Sequence, residues 1–195
     1  TPVKDGYTFL GWASTPDATA AEALGTMDNE NGKTYYAVYK LTDYTVTYKV
    51  DGVQLYVDTY NFGNTVALRP AEAKTGYYFD GWFYNGSIVT ELTMPAENIV
   101  LEGSLKPNTY EVIFNANGGE GTMPEQTIET DATATLKNCT LERLGYEFLG
   151  WSTTPTGNVE YTDRASYKMG TDSEYTLYAV WEIIEYKIDY VLNSG

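Results

Sequence analysis

The side chains that usually carry catalysis or bind metals are scarce in this chain, apart from carboxylates. Of 195 residues, 27 are acidic and none is histidine, so Ser-His-Asp catalysis and imidazole metal sites are excluded. The single cysteine, Cys139, allows neither an internal disulfide nor a cysteine-rich zinc site. We expect it to be a small buried hydrophobe, with an intermolecular bridge as the alternative. No carboxylate recurs between related segments, since Asp80 is replaced by Leu10 and Leu149, and we predict no enzyme, metal site or cofactor.

Two loops partly match ligand-binding sequences. Asn117-Gly-Gly-Glu-Gly121 follows a predicted strand, but a phosphate cradle would also require a helix start and a lysine, which the next residues do not supply. A wide hairpin turn is therefore the favoured interpretation. Residues 28–32 begin like a calcium loop, but the types at the fifth and sixth positions do not fit. We predict a solvated turn there, with weak cation binding as the alternative.

The charge of the chain narrows the range of partners. Only 12 residues are basic, which gives a formal net charge of −15 and disfavours nucleic acid and anionic membrane surfaces. No apolar run is long enough to cross a membrane, so direct membrane insertion is not expected. Hydrophobic residues make up 43% of the chain and 19 residues are tyrosine. This composition permits a packed core and favours strands, in which tyrosine rings cover a half-buried sheet face.

The elements that must position any site form internal repeats, spaced at roughly 70 residues. The pattern Gly-Tyr-x-Phe-x-Gly-Trp occurs at residues 6–12, 76–82 and 145–151. Alternating strands that begin with tyrosine occur at 44–50, 110–116 and 186–192, and closing segments occur at 36–39, 99–102 and 178–181. We divide the chain into the C-terminal half of a repeat (1–43), a short repeat (44–107), a full repeat (108–185) and the first strand of another (186–195). We expect it to be part of a longer protein.

Each repeat is predicted to be a small, strand-rich α+β unit. In the short repeat the predicted strands are 44–50, 53–60, 77–84 and 99–105, with a short helix within 66–74. In the full repeat the helix is predicted near 140–144, and later strands near 146–152 and 175–183. The order strand, strand, helix, strand, strand is typical of a β-grasp (ubiquitin-like) module, in which one helix covers one sheet face. The chain would then be tandem β-grasp repeats joined end to end.

The repeated residues resemble a known family. The Gly-Tyr-x-Phe-x-Gly-Trp core, the opening Tyr-x-Val-x-Phe-x-x-Asn-Gly-Gly and the closing Leu-Tyr-Ala-x-Trp are similar to the internalin B-repeat family, also called the Listeria–Bacteroides repeat. Residues 110–181 match almost throughout, 44–105 resemble a shorter type, and 1–40 match only the second half of a unit. The resemblance implies ubiquitin-like β-grasp repeats in an extracellular protein anchored at the bacterial cell surface, without catalytic residues.

The recurring aromatic residues are predicted to pack in the core of each repeat or between repeats, with sugar stacking as the alternative. They are Tyr7, Phe9, Trp12, Tyr77, Phe79, Trp82, Tyr146, Phe148 and Trp151. Because Phe and Trp of one motif are three residues apart, they lie on opposite strand faces unless the intervening glycine forms a bulge. Other tyrosines are candidates for contacts with carbohydrate or protein: Tyr35, Tyr56, Tyr60, Tyr84, Tyr161 and Tyr167.

The segments that connect the repeats contain no flexible Gly/Ser linker. Residues 36–50 and 178–192 each run from a closing strand almost directly into an opening strand, which predicts limited hinge freedom. We also expect residues 1–43 to pack as an ordered sheet fragment against the second unit or against a neighbouring molecule. The expected function is a semi-rigid, monomeric stalk that presents other domains at the cell surface. The alternative is an adhesion module that binds a host protein or polysaccharide through exposed tyrosines or sheet edges.

Overall fold

The structure is a computed structural model that describes residues 1–23, 32–172 and 174–192. Within these residues the chain forms strands and loops, without a helix. In chain order the strands are β1 Tyr7–Ala13, β2 Tyr36–Leu41, β3 Asp43–Val50, β4 Val53–Asn61, β5 Tyr77–Phe79, β6 Trp82–Tyr84, β7 Ser87–Val89, β8 Ile99–Gly103, β9 Leu105–Pro107, β10 Thr109–Asn115, β11 Gln126–Glu129, β12 Thr133–Thr135, β13 Tyr146–Ser152, β14 Ser166–Lys168 and β15 Tyr175–Ile183. The chain divides into two compact units, Thr1–Ala73 with Phe79–Lys106, and Lys74–Tyr78 with Pro107–Gly195.

The first unit contains a hairpin and a five-stranded sheet. Strands β1 and β2 form the antiparallel hairpin, and the sheet has the order β4-β3-β8-β6-β7 with β3 and β8 parallel. Asp51 and Gly52 both have positive φ and join β3 to β4 in the two-residue turn that an Asp-Gly pair favours. Alternate residues of the two parallel strands are buried, including Tyr48 and Leu101. One face of the sheet therefore carries the core.

The second unit repeats this sheet. Its order is β11-β10-β15-β13, again with the opening strand β10 parallel to the closing strand β15. Val112, Phe114, Leu177 and Ala179 of these two strands are buried, and the small antiparallel pair β12–β14 contributes Tyr167 to the same core. Both complete repeats thus place their first and last strands side by side at the centre of the sheet.

The predicted helices at 66–74 and 140–144 are wrong, because both segments are loops. The fold is strand-rich as expected, but the described residues are all-β rather than α+β. In each loop a backbone group pairs across to another loop: Val66 donates its N–H to Leu92 (2.8 Å), and Glu142 donates to Glu120 (3.1 Å). These long-range bonds replace helical ones, and segments of five to nine residues are too short to form a stable helix by themselves.

Two strand predictions also require correction. The strand predicted for 77–84 is divided at Asp80 and Gly81, where Asp80 accepts a hydrogen bond from the Ser104 N–H (2.7 Å) instead of continuing the strand. Residues 186–192 form no strand, and Tyr186 and Leu192 are 80% and 95% exposed. An opening strand is held by the second and closing strands of its own repeat, as β10 is by β11 and β15. The described residues contain no such partners for 186–192.

Candidate functional site

The Phe and Trp of each repeated motif lie in contact. The register shifts between Phe9 and Gly11 in β1 and between Phe148 and Gly150 in β13, so the glycine forms the bulge that places both rings together. The ring centroids lie 4.9–5.5 Å apart and near edge-to-face for Phe9–Trp12, Phe79–Trp82 and Phe148–Trp151. Edge-to-face geometry at this separation is favourable for aromatic rings. The motif therefore builds one aromatic pair per repeat.

The three tryptophans differ in burial. Trp82 and Trp151 are 4% and 0% exposed, whereas Trp12 is 39% exposed. The Trp82 indole N–H donates to the carbonyl of Arg69 (2.6 Å), but the buried Trp151 indole N–H has no acceptor among the described residues. Burial leaves Trp82 and Trp151 no free ring face on which a sugar could stack. Of these three described rings, Trp12 alone presents a surface for such contacts.

The tyrosines proposed as ligand contacts occupy separate places. Tyr84 donates its hydroxyl to Glu97 (2.8 Å), while Tyr161 and Tyr167 pack against each other with centroids 5.1 Å apart. Tyr167 is only 6% exposed, and burial raises its pKa to about 12. Its assignment as an exposed ligand contact is therefore wrong, because its ring belongs to the core. Tyr35 is 38% exposed and keeps an accessible ring.

The other two candidate tyrosines, Tyr56 and Tyr60, hold a loop over the sheet. Arg69 forms a bidentate ion pair with Asp58 of β4, with Nε and Nη2 each donating at 2.7 and 2.6 Å, and its guanidinium lies 5.0 Å from the Tyr56 ring centre. The Tyr60 hydroxyl bonds to both the N–H and the carbonyl of Ala67. Hydrogen bonding to Arg69 lowers the pKa of Asp58. These contacts tie the loop to its own repeat.

The glycine-rich loop at 117–121 is a packed turn and shows no anion site. Asn117, with a φ of 47°, donates its side-chain amide to the carbonyls of Pro155 (2.8 Å) and Ala179 (2.9 Å). A Cβ on Gly119 would lie 2.6 Å from the Trp181 ring. The glycine is needed for this close approach, and the loop faces its own repeat.

The remaining chemical candidates give no site. Cys139 is half-buried, burial raises the pKa of its thiol, and its backbone N–H donates to Asp163 (2.9 Å). In the described part of the chain, no cluster of three or more acidic or cysteine side chains is arranged to hold a metal ion. The calcium-like segment at 28–32 lies outside the described residues except for Gly32. No described helix is long or apolar enough to span a membrane.

The sequence analysis missed a cation-capped turn that occurs in every repeat. We call it the GY turn; its copies are Lys4–Tyr7, Lys74–Tyr77 and Arg143–Tyr146. In each, the tyrosine N–H donates at 3.0 Å to the carbonyl of the basic residue, and the glycine has a φ of 77–78°. The cation lies 3.5–3.9 Å from the tyrosine ring centre, where the ring attracts positive charge. A basic residue three positions before each motif tyrosine was a detectable signal in so acidic a chain.

Each GY turn forms a joint together with the residue that follows the last strand of its repeat. We call the connecting positions joint residues; they are Thr42, Asn108 and Ile184. Each donates its N–H to the glycine carbonyl of the preceding GY turn, with N···O distances of 3.0, 2.8 and 2.8 Å. Only Thr42 separates β2 from β3, and only Asn108 separates β9 from β10. The connection at Thr42 is therefore as short as the sequence predicts, and the backbone of both connections is hydrogen-bonded.

A turn after the second strand of the following repeat completes each internal joint. We call residues 61–64 and 129–132 the receiving turns. Phe62 donates its N–H to the Thr42 carbonyl (3.2 Å), and Thr130 donates to the Asn108 carbonyl (2.8 Å). In the first joint the Tyr7 ring also lies edge-on to Phe62, with centroids 6.5 Å apart. The described part of the half repeat is thus an ordered hairpin that packs against the turn after β4.

The second internal joint lies within the second compact unit and has additional polar contacts. The Thr130 hydroxyl donates to the Gly76 carbonyl (2.8 Å), and the Tyr77 hydroxyl donates to the Asp131 carboxylate (3.0 Å). A Cβ on Gly76 would lie 2.7 Å from the methyl groups of both Thr130 and Thr171. Glycine is required here by its positive φ and by this close approach.

Comparison with known proteins identifies the repeats. The model of the Listeria-Bacteroides repeat domain matches residues 1–38, 44–103 and 110–180. The chain belongs to this family. It is 28% identical over its whole length to a "Putative membrane protein" of Evansella cellulosilytica and 29% identical to a "Putative Gly-rich membrane protein" of the same organism, and it covers 31% and 23% of those proteins.

Two further similarities come from named surface or internalin proteins. Internalin H of Listeria monocytogenes is 31% identical over 62% of this Listeria-Bacteroides repeat chain, and the aligned part covers 24% of Internalin H. Domains 3–4 of the Streptococcal High Identity Repeats in Tandem from a cell surface protein align over 72% of the chain and 98% of their own length, with 15% identity and a TM-score of 0.29. The chain spans less than a third of the length of the curated relatives it matches.

Proposed function

We propose that this chain is a non-catalytic, extracellular repeat region of a bacterial cell-surface protein and acts as a semi-rigid stalk that presents other domains. The observation that carries the proposal is the joint, in which a single connecting residue is hydrogen-bonded both to the preceding GY turn and to the receiving turn. Such a connection restricts reorientation far more than a flexible linker. Membership in the Listeria-Bacteroides repeat family and the similarity to Internalin H support a surface location.

The repeat boundaries at 43/44, 107/108 and 185/186 and a β-grasp architecture are part of this proposal. The second-first-last-third strand order, with a central parallel pair, supports β-grasp, although loops occupy the place of the helix. A net charge of −15 supports solubility and mutual repulsion between chains. We accordingly propose a monomer without nucleic-acid or membrane-inserted partners.

Backbone relaxation of the 15N-labelled chain tests the stalk. A semi-rigid array predicts one shared rotational correlation time for amides of β3, β8, β10 and β15, and no excess fast motion at Thr42 and Asn108. Separate correlation times for the short and full repeats would contradict the stalk. As a control, a variant with a Gly/Ser linker inserted after Asn108 should show separate tumbling.

The alternative function is adhesion by strand addition at an exposed sheet edge. Strand β4 lies at the edge of its sheet, is nine residues long, and exposes Val53 (63%) and Val57 (49%). A long edge strand with unpaired backbone groups is a template for an added strand. The partner would be a host protein; a polysaccharide would instead contact accessible rings such as Trp12 and Tyr35.

Titration against host matrix proteins and polysaccharides separates these functions. Adhesion predicts saturable binding that Val57→Pro weakens, because a proline in the edge strand cannot donate a backbone hydrogen bond, while Val57→Thr retains the binding. Loss of binding on changing Trp12 and Tyr35 instead would indicate carbohydrate recognition. No binding to any member of the panel would leave the stalk as the function of this region.

A further inference from the structure

A cleft of about 330 Å³ opens beside the first residues of β15 in the full repeat. Strand β13 ends at Ser152, opposite Tyr178, so residues 175–177 of β15 pair with β10 alone. The chain leaves the sheet at Thr153, which lines the cleft. A volume of this size lies within the range of small-molecule sites. The cleft is therefore large enough to admit a ligand.

The side chains that line this cleft offer only hydroxyl and carboxylate oxygens as polar groups. They belong to three tyrosines, two threonines, Asp172 and Glu174, and none of these described residues is basic. Asp172 and Glu174 are exposed, and no described basic side chain forms an ion pair with either of them. A cleft that carries charge of one sign attracts ligands of the opposite sign. This cleft is thus suited to a cation.

The hydroxyl of Tyr167 opens into the cleft without a hydrogen-bond partner among the described residues, although the side chain is only 6% exposed. Burial is the main cause of the raised pKa of Tyr167, and the negative charges of Asp172 and Glu160 add to it, so these carboxylates lie near the hydroxyl. Glu160 already accepts hydrogen bonds from Ser152 and Thr153. A buried hydroxyl without a partner is costly, so a ligand that supplies one binds favourably at this point.

The short repeat shows that packing does not require these hydroxyl groups. Tyr175 is the first residue of β15 to pair with its opening strand, at the position that Ile99 occupies in β8. Tyr167 and Leu92 each stand two residues before a buried methionine. Aliphatic side chains fill the equivalent core in the short repeat, and the tyrosine hydroxyls distinguish the full repeat from it.

Tyrosine rings elsewhere in the chain hold a cation that the chain itself supplies. The three GY turns place a basic side chain 3.5–3.9 Å from the tyrosine ring centre, and Arg69 lies 5.0 Å from the Tyr56 ring centre. The half-buried Tyr178 ring of the cleft has no such cation among the described residues. A cation from outside the chain would therefore meet a favourable ring here.

We propose that this cleft binds a protonated alkylamine, whose ammonium group lies between the Tyr167 hydroxyl and the carboxylates of Asp172 and Glu174. An ammonium group donates three hydrogen bonds, and its methylene stem packs along apolar surface, here the Tyr178 ring. A neutral sugar would bond to the same oxygens but would gain nothing from the net charge of −15. The site goes beyond the stalk function and does not depend on it. A lysine of another polypeptide and a free amine are the two sources of such a group.

Titration of the 15N-labelled chain with Nα-acetyl-lysine N-methylamide, followed by NMR, tests the proposal. Saturable shifts are expected at the amides of Tyr167, Asp172 and Tyr178, and none in the short repeat, which is the internal control. The norleucine analogue has the same stem without the ammonium group and should not bind. Binding of cadaverine or of a glycine-flanked lysine peptide supports the proposal, and the tighter of the two identifies the source. Equal binding of the norleucine analogue, binding of N-acetylglucosamine instead of the lysine probe, or no saturable shift would overturn it.

Variants of the cleft locate the bound amine. Asp172→Asn and Glu174→Gln should each raise the Kd for the lysine probe by ~2- to 5-fold, and Tyr167→Phe should raise it by ~3- to 10-fold while its ring stays in the core. Glu147→Gln is the matched control, because it removes one exposed charge from β13 of the same repeat and should change the Kd by less than ~2-fold. Unchanged affinity in Tyr167→Phe, or equal weakening by Glu147→Gln and Asp172→Asn, would overturn the proposed site.

Discussion

Replacing the bulge glycine of the full repeat by alanine should be among the most destabilising single changes in the chain. Gly150 has a φ of 153°, and a Cβ there would lie 2.5 Å from the Tyr161 carbonyl oxygen and 2.6 Å from a Val159 methyl group. That carbonyl cannot move freely, because it accepts a hydrogen bond from the Trp151 N–H (2.7 Å). Relief of the clash therefore requires movement of the backbone that holds the buried tryptophan.

Two terms contribute to the expected change in the free energy of unfolding. Placing a side chain in a sparsely populated backbone region costs ~1–3 kcal/mol. Forcing an additional methyl group into a packed site costs a further ~1–3 kcal/mol. Their sum, ~2–6 kcal/mol, is a large part of the ~5–15 kcal/mol by which a domain is usually stable. For a repeat of this size it corresponds to a melting temperature lower by ~10 °C or more.

Gly81→Ala is the matched comparison because Gly81 occupies the same position in the short repeat. Its φ is 106°, but the atom nearest to an added Cβ, at 2.9 Å, is the terminal methyl group of Ile88, which can rotate away. Only the backbone term should remain, ~1–3 kcal/mol. Hydrogen exchange of peptides from each repeat during urea denaturation measures the two free energies separately in one chain.

Two outcomes would contradict this expectation. If Gly150→Ala is no more destabilising than Gly81→Ala, the Tyr161 carbonyl does not restrict this position. If either variant keeps full stability, positive φ is not required at that glycine. Nuclear Overhauser contacts between Phe148 and Trp151 should weaken in the Gly150 variant, because the bulge in β13 places these rings on one face.

Three further outcomes are expected. Because Arg69 lowers the pKa of Asp58, the ion pair stabilises the fold above the ordinary carboxyl pKa, and its contribution is lost as the pH falls. In urea denaturation at pH 7, Asp58→Asn should lower the free energy of unfolding by ~1 kcal/mol or less, and the stability of the variant should depend less on acid pH. Burial raises the pKa of Tyr48 and of Tyr167 to about 12, so their contribution to stability is complete below the pKa of an unfolded tyrosine, near 10, and declines above it. Tyrosinate absorbance should show groups that ionise only well above pH 10, and Tyr167→Phe should make the chain more resistant to alkaline unfolding. Removing residues 1–41 should lower the free energy of unfolding of the short repeat by ~1–3 kcal/mol, because Phe62 loses its contact with the Tyr7 ring and the hydrogen-bonded joint becomes less ordered. An unchanged urea midpoint for that repeat would contradict the packing of the half repeat.

Strand positions were predictable wherever alternation and turn residues agreed. Residues 146–152 and 175–183 are the ranges of β13 and β15, and the Asp51-Gly52 turn lies where the dipeptide indicates. Such local signals require only the period of two and the positive φ that these residues tolerate. The helix predicted after Pro70 is wrong because a short polar segment after a proline is equally compatible with a loop, and 140–144 is too short to form a helix by itself. The backbone bond from Glu142 to Glu120, which decides between them, joins residues that are far apart in sequence.

The candidate contacts were harder to predict because burial depends on the partner strand. Tyr167 lies in β14 and is buried in the core, whereas Tyr161 packs against the same core from a loop and is only partly buried. The ambiguity between core packing and sugar stacking for the tryptophans could be resolved only by the bulge, which the sequence permits but does not require. The GY turn, in contrast, was accessible to sequence reasoning, since its basic residue recurs at one spacing in all three copies.

The half repeat separates two roles that the Gly-Tyr-x-Phe-x-Gly-Trp motif combines. In complete repeats the opening strand covers the tryptophan: Tyr48 lies 5.0 Å from Trp82, and Phe114 lies 4.9 Å from Trp151. The described half repeat has no opening strand, and Trp12 is accordingly 39% exposed. Its joint is nevertheless formed, because the GY turn needs only its own four residues and the joint residue. Burial of the tryptophan thus depends on the opening strand of its own repeat, whereas the joint depends only on a short turn and one connecting residue.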